Sequence, residues 1–278
     1  MTNIVIPMAG AGSRFVTAGY KIPKPFIDVN GKSMIVRVLD NLSCADARYI
    51  LIARKDHLEK EKKLVTKIKK TYDAIFIPID QLTEGAASTV LFSRELIDND
   101  DPLIIANSDQ IVDIVFQDYV DDCFSRKLDG LIMTFQDIER NPKWSFARID
   151  NRGYVQEVRE KVVISDIATV GIYMFTHGRE FVDFAIDMIV RNDRVNNEFY
   201  VCPIYNYAIK AKKKIGIYDM EYEKMHGIFM AKGPNILSKK IPSFENIHIY
   251  PFLATILRLK YPENIDGHIN VLGKYIKE

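Results

Sequence analysis

"NIVIPMAGAGSRF", residues 3–15, decides the fold. Asn3 to Pro7 is a run of apolar, largely β-branched residues, the composition of a strand buried on both faces. It runs into Gly10 and Gly12, then Ser13 and Arg14. Two glycines let backbone amides turn inward and form an anion-binding nest at the start of a helix. Arg14 adds a planar fork of donors suited to phosphate oxygens. The G-x-x-x-x-G-K-[ST] spacing of a Walker A loop is absent, and Phe15 occupies the third glycine position of a dinucleotide fingerprint. Taken alone, the turn is compatible with a phosphate cradle or with a plain tight turn.

Four more runs of the same kind follow: "YILIA" (49–53), "AIFIP" (74–78), "PLIIA" (102–106) and "GLIMTF" (130–135). Stretches of helical period separate them. Met34, Ile35, Val38, Leu39 and Leu42 form one apolar stripe with Ser33 placed to cap it, and "AASTVLFSRELI" after Gly85 is a second candidate helix. Apolar strands alternating with helices predict an α/β fold whose mainly parallel sheet is covered on both faces, with ligands beyond the carboxyl ends of its strands. From about residue 144 the pattern changes. "FARI", "YVQEV" and "TVGIYMF" read as strands joined by short turns, "NRG" as a hairpin tip, and "REFVDFAIDMIVR" as a helix. This half is expected to extend the sheet and to supply the acceptor side of a cleft.

Composition narrows the function classes. The 278 residues carry 38 Lys and Arg against 37 Asp and Glu, a net charge of +1, so nothing marks a nucleic-acid partner. The basic stretch Arg54 to Lys70 is interrupted by Asp56, Glu59 and Glu61 and reads as a solvated helix face. No apolar run reaches the roughly 20 residues of a membrane helix, and the amino terminus lacks the pattern of a signal peptide. Three distant cysteines, Cys44, Cys123 and Cys202, fit buried thiols in a reducing compartment. The expectation is a soluble cytoplasmic protein with no membrane partner.

Further motifs carry chemistry. In "KIPKPFIDVNGKSMI" (21–35), two prolines stiffen the segment that holds Lys24 near the glycine turn. "PLIIANSDQIVD" (102–113) ends a strand in Asn107, Ser108 and Asp109, and a carboxylate there is placed to hold Mg²⁺ against phosphate oxygens. In "QLTEGAAS" (81–88), the Gln81 amide could read a base edge while Gly85 lets the base lie close to the backbone. Lys161 in "EVREK" could neutralise an acceptor phosphate. Glu198 in "NNEFYVCPIYN" could accept hydrogen bonds from an acceptor's polar groups. Each also has a purely structural reading.

In order and spacing, "GAGSRF", "KPF…GKSMI", "QLTEGAAS", "NSDQ", "EK" and "VGIYMF" resemble the sugar-1-phosphate nucleotidyltransferase family over roughly residues 1–227. "NPKWSFARID…ISDIATVGIYMF" and "NNEFYVCPIYN" look most like a subgroup from surface-polysaccharide clusters, the CTP:phosphoglutamine cytidylyltransferase-type capsule enzymes. The resemblance implies a GT-A-like α/β fold. It also implies Mg²⁺-dependent transfer of NMP, expected to be CMP, from an NTP to a phosphorylated small-molecule acceptor, with release of pyrophosphate. By the same resemblance, Met8, Ala9, Gly10, Ala11, Gly12, Ser13, Arg14, Lys24, Gln81, Gly85, Ala86 and Ser108 would bind the nucleotide. Asp109 would hold the metal, and Lys161 and Glu198 would serve the acceptor. Arg14, Lys24, Asp109 and Lys161 would carry catalysis. A second metal-binding Asp of the relatives has no counterpart at "KMHGI", which leaves that ligand unassigned and Asp219 as one candidate.

From about residue 220 the chain resembles something else, the carboxyl-terminal end of type I phosphodiesterases and nucleotide pyrophosphatases. Residues 228–278 are therefore expected to be a non-catalytic appendage. Its helix around Tyr250 to Leu259 presents apolar residues that would cover the first domain or mediate self-association into a homo-oligomer. Two alternatives stay open at this point: a GT-A glycosyltransferase, for which "NSDQ" offers only one Asp of an Asp-x-Asp motif, and a catalytically inactive nucleotide-binding or scaffold protein.

Overall fold

A computed structural model describes residues 1–219, 231–237, 239, 241, 244, 246–262, 265 and 267–277. The chain divides into two compact units, Met1–Met225 and His226–Glu278. "KMHGI", at residues 224–228, lies outside the described residues.

The first unit begins with β1 (Thr2–Pro7) and the short helix α1 (Ser13–Thr17), followed by a small hairpin of β2 (Asp28–Val29) and β3 (Lys32–Ser33). Next come α2 (Met34–Asn41), β4 (Ala47–Arg54), α3 (Lys55–Lys60), α4 (Lys62–Thr71), β5 (Ala74–Ile79), α5 (Ala86–Val90), α6 (Arg94–Ile97) and β6 (Leu103–Ala106). The second half adds α7 (Phe116–Ser125), β7 (Gly130–Gln136), β8 (Ser145–Ile149), β9 (Val155–Glu160) and β10 (Ile167–Phe175). It closes with α8 (Gly178–Val190), α9 (Ile204–Lys210) and β11 (Ile215–Asp219).

Strand order in the main sheet is β11-β7-β10-β6-β1-β4-β5, with the β8–β9 hairpin attached to β10 through β8. β1 pairs in parallel with β4 and β6, and β4 with β5. β10 runs antiparallel between β6 and β7. That reversal matters for function. Ile172 of β10 stands opposite Ala106, so the amino end of β10 meets the carboxyl ends of β1 and β6 at one edge of the sheet.

Period-2 alternation divides the core. Val5, Ile50, Ile52 and Ile105 face one way and pack with Ala87, Val90, Phe181, Ala185, Ile204 and Tyr205 of α5, α8 and α9. Ile4, Ile6, Leu51 and Ile104 face the other way, against α2, α4 and α7 through Ile35, Val38, Ile68, Phe116 and Tyr119. Ile4, Ile6 and Leu51 are wholly inaccessible to solvent, and each such side chain contributes about 1.5–3 kcal/mol of hydrophobic stabilisation. The predicted α/β architecture with a mixed, mainly parallel sheet between helical layers is the one observed. Among the described residues no helix is long and apolar enough to cross a membrane.

Two local expectations need correction. Ser33 does occupy the position preceding α2, but its hydroxyl makes no capping bond and is buried without a partner. The segment 86–97 is not one helix. It tightens into a 3₁₀ turn at Leu91–Ser93 between α5 and α6, where the Ser93 hydroxyl donates to the Val90 carbonyl at 2.6 Å. The three cysteines are free thiols, with burial pushing Cys44 up to about 11 and Cys202 higher still.

The second unit contains α10 (Ile249–Ile256) and α11 (Ile269–Leu272), with Pro251 tolerated in the first turn of α10. Tyr250, Leu253 and Leu257 are exposed on or beside α10. The His268 amide donates to His248 Nδ1 at 3.0 Å.

Candidate active site

Gly12 adopts the left-handed conformation, φ +59°, that starts α1, and among the described residues the amides of Gly10 to Arg14 find no hydrogen-bond acceptor. Nothing would meet a Cβ at Gly10 within 4 Å, so open space lies beside these donors. Arg14 is exposed. Met8 is different: its side chain is 3% exposed, packed in the core, and its amide donates to the Ile52 carbonyl. Ala9 is equally buried.

Lys24 opens a one-turn 3₁₀ helix, Lys24–Phe26, between Pro23 and Pro25, and a Cβ on Gly12 would lie 3.5 Å from its own Cβ. Its ammonium pairs with the Asp109 carboxylate and lies 5.5 Å from the Phe15 ring centre. A cation and an anion 85 residues apart in the chain thus converge at the carboxyl ends of β1 and β6. Ser108, beside Asp109, is half-buried in the same turn.

Behind this pair lies a cleft of about 280 Å³, lined by Pro7, Ala86, Asn107, Trp144, Glu160 and Lys161 among others. Lys161, at φ +55° just past β9, donates to the Tyr200 hydroxyl at 2.6 Å, with its ammonium 4.6 Å from the ring centre. The hydrogen bond to Tyr200 holds the Lys161 ammonium above its ordinary pKa, so it stays cationic at neutral pH. Glu160, only 7% exposed, accepts a hydrogen bond from the Ser145 hydroxyl. Burial raises its carboxyl above the usual range, against the opposing effects of Ser145 and Lys161. Trp144 closes one wall, edge-on to Phe135 at 5.4 Å and covered by the Lys143 ammonium at 4.5 Å.

Gly85 shows why glycine stands there. Its φ is +116°, and a Cβ would come within 2.5 Å of the Phe199 carbonyl oxygen and 2.6 Å of the Phe199 nitrogen. The Phe199 amide donates to the Glu84 carbonyl at 2.7 Å, and the Ala87 amide donates to the Phe199 carbonyl at 3.0 Å. The loop carrying Gln81 is thereby fastened to the segment carrying Glu198 and Tyr200. Gln81 itself lines a separate depression of about 460 Å³ with Leu82, Glu84 and Phe92, not the cleft of Lys161. Glu198 is exposed on the turn beside Tyr200 and contributes charge, rather than lining, to the cleft.

Asp109 offers this edge one carboxylate, and it is paired with Lys24. Mg²⁺ is commonly held by one or two carboxylates, with phosphate oxygens and water completing six ligands. Among the described residues no three His, Cys, Asp or Glu side chains form a metal-binding group, so the phosphates of a substrate would supply most of the ligands. Asp219, the other candidate, ends β11, which β7 and β10 separate from β6 in the sheet.

The sequence reading therefore brings together Gly10 to Arg14, Lys24 and Asp109, and separately Ala86 and Lys161. It misses Glu160, Ser145 and Trp144. "EVREK" contains the first of these, and the signal available is period 2: Val158 and Glu160 share a strand face, so a carboxylate points inward with a valine.

Comparison with known proteins identifies the family. The family model for nucleotidyl transferases matches residues 4–215. The catalytic subunit beta of mannose-1-phosphate guanylyltransferase from Drosophila melanogaster is 26% identical over 179 residues, covering 63% of this chain and 48% of that protein. The bifunctional protein GlmU of Methanococcus aeolicus is 25% identical over 175 residues, 62% of this chain and 40% of its own length. The chain thus spans about half the length, or less, of these curated relatives. Among solved structures, a nucleoside-diphosphate-sugar pyrophosphorylase from Vibrio cholerae superposes with a TM-score of 0.66 at 24% identity, covering 78% of this chain and 91% of that one. A glycine turn with unpaired amides, an Asp–Lys pair at the strand ends and a match over residues 4–215 leave one assignment: the chain belongs to the nucleotidyl transferase family.

Proposed function

We propose that this chain transfers NMP from an NTP to the phosphate of a small phosphorylated acceptor, releasing pyrophosphate. The observation that carries the reading is the Lys24–Asp109 pair beside the unpaired amides of Gly10 to Arg14. In the proposed reaction an acceptor phosphate oxygen attacks the α-phosphorus in line. One P–O bond forms as the bond to the pyrophosphate leaving group breaks. The turn and Arg14 hold the triphosphate, and Lys24 swings from Asp109 onto the reacting phosphates. Asp109 would hold Mg²⁺, which when bound neutralises phosphate charge. Lys161, fixed by Tyr200, receives the acceptor phosphate, and Glu160 accepts a hydrogen bond from an acceptor hydroxyl. Gln81 and Gly85 contact the base, and Glu198 borders the acceptor. No covalent nucleophile is required, because positioning and charge stabilisation suffice.

The proposed donor is CTP and the proposed setting capsule or surface-polysaccharide precursor synthesis, both resting on the subgroup resemblance of "NPKWSFARID" and "NNEFYVCPIYN". GTP is a second reading, favoured by the mannose-1-phosphate guanylyltransferases among the relatives. The second unit is proposed as a non-catalytic appendage. The test is pyrophosphate release with CTP, dTTP, UTP, GTP and ATP, each with Mg²⁺, against α-D-mannose 1-phosphate, α-D-glucose 1-phosphate and phosphoglutamine. Release with one triphosphate and one acceptor supports transfer and names both. Binding of triphosphate without release for any acceptor favours an inactive nucleotide-binding protein, and transfer from a nucleotide sugar favours a glycosyltransferase.

A further inference from the structure

We propose that Arg194 is a positioning residue that couples the donor base loop to the acceptor turn, so that nucleotide binding orders the acceptor side. The inference rests on the nucleotidyl-transfer reading of the two loops. Four observations place Arg194 at their junction. Its guanidinium pairs with Glu84 of the base loop at 3.2 Å. The same guanidinium lies 4.4 Å from the Phe199 ring centre, over the residue that Gly85 cannot approach with a side chain. Its Nε is buried with no partner, so the group is held by stacking and one ion pair rather than by a full set of acceptors. Its neighbour Val195 exchanges hydrogen bonds with Glu198 across a tight turn whose Asn196 and Asn197 have φ of +51° and +63°.

The route between the two sides is short. Gly85 touches Phe199, Phe199 precedes Tyr200, and Tyr200 fixes Lys161 in the cleft. On the base side the Gly85 carbonyl accepts from Thr83 and Thr89 hydroxyls, at 3.2 and 3.0 Å, which keeps that end rigid. A base pressing on Gly85 thus bears on the segment that positions Lys161. Because coupling between sites is reciprocal, an occupied acceptor cleft would tighten nucleotide binding by the same factor. Without Arg194 the backbone bonds of Phe199 remain, but the planar cation that clamps its ring to Glu84 is gone.

Hydrogen exchange read by mass spectrometry tests this with nucleotide alone, using CTP·Mg²⁺ and GTP·Mg²⁺ in parallel. In the wild type, the bound nucleotide should slow exchange at residues 80–90 and, by at least about fivefold, at 195–201. In Arg194→Ala the protection at 80–90 should persist while that at 195–201 is lost. Glu84→Gln breaks the same pair from an exposed side chain and should behave alike, and Arg194→Lys, which keeps the charge without the planar stack, should fall between. In turnover, Arg194→Ala should raise the acceptor KM, while triphosphate binding measured without acceptor stays near wild type and its tightening by acceptor is lost. Equal protection at 195–201 in wild type and Arg194→Ala, or none there in the wild type despite protection at 80–90, overturns the coupling. Absence of protection at both 8–16 and 80–90 with every triphosphate overturns the nucleotidyl-transfer reading itself, and the coupling with it.

Discussion

Replacing Gly85 by alanine tests the link between the loop at residues 81–85 and the turn at residues 195–200 at its tightest point. A β-carbon there would sit 2.5, 2.6 and 2.9 Å from the oxygen, nitrogen and carbonyl carbon of Phe199, all of them backbone atoms that cannot rotate away. The residue would also have to hold φ of +116°, outside the range an L side chain tolerates. Backbone strain of about 1–3 kcal/mol and overpacking of a similar size give a combined cost of about 3–5 kcal/mol. Relief requires the loops to part, which sacrifices the Phe199-to-Glu84 and Ala87-to-Phe199 hydrogen bonds, each worth about 1 kcal/mol. Urea unfolding should therefore show a lower midpoint with an unchanged slope, and the melting temperature should fall by roughly 10 °C. In turnover the acceptor KM should rise more than the donor KM, because Tyr200 and Lys161 move with Phe199. A stability change below about 1 kcal/mol with unaltered kinetics would show that the two loops are not in contact as described, since neither strain nor overpacking could then be present.

Arg14→Ala should leave the melting temperature of the free protein unchanged, because the side chain is exposed, yet weaken triphosphate binding about 10- to 100-fold through loss of charge-assisted hydrogen bonds. A ligand-induced melting shift equal to wild type would remove Arg14 from the phosphate site. Asp109→Asn should reduce Mg²⁺-dependent turnover on the order of 100-fold or more, and near-normal activity would mean that another carboxylate holds the metal. Glu160→Gln carries a pH signature. Burial raises the Glu160 carboxyl, so the folded protein keeps that proton to higher pH than the unfolded chain does. Its favourable contribution is complete at low pH and is lost as pH rises from the unfolded value through the raised folded one. The glutamine variant should therefore be more stable than wild type at pH 7, with the advantage vanishing below about pH 4. An advantage that persists at pH 3 would contradict the charge-burial account.

Most of the fold is legible in the sequence because its strands are local and emphatic. "NIVIP", "YILIA", "AIFIP", "PLIIA" and "GLIMTF" each correspond to a strand, and alternate residues of β1 and β4 divide between the two cores. "NRG" likewise marks a turn, where the Asp150 carboxylate accepts from the amides of Arg152 and Tyr154. What the pattern does not encode is direction. β10 carries the same apolar composition as β1 and β6, yet it runs antiparallel between β6 and β7. Nothing in its composition distinguishes the two senses, while the sense decides which end of the strand borders the site. The break between α5 and α6 is illegible for another reason: one serine bonding back to Val90 shifts the hydrogen-bond pattern without disturbing the apolar period.

The site divides along the same line. Gly12 and Arg14 are readable because a glycine turn after a strand has a local geometric consequence. Lys24 and Asp109 are readable as individuals, but their pairing is not, since 85 residues separate them and only β1 lying beside β6 joins them. Glu160 is hidden by its neighbour. Charge argues that a glutamate faces water, and the strand period argues that residue 160 shares the inward face with Val158. The period prevails because Ser145, directly opposite across the β8–β9 ladder, supplies the hydrogen bond that lets a carboxylate remain inside. A buried acid needs such a partner, so Ser145 and Glu160 form one unit in the wall of the Lys161 cleft. Ser145→Ala should therefore raise the Glu160 carboxyl further, and a pH titration of the variant that leaves it unmoved would break that dependence.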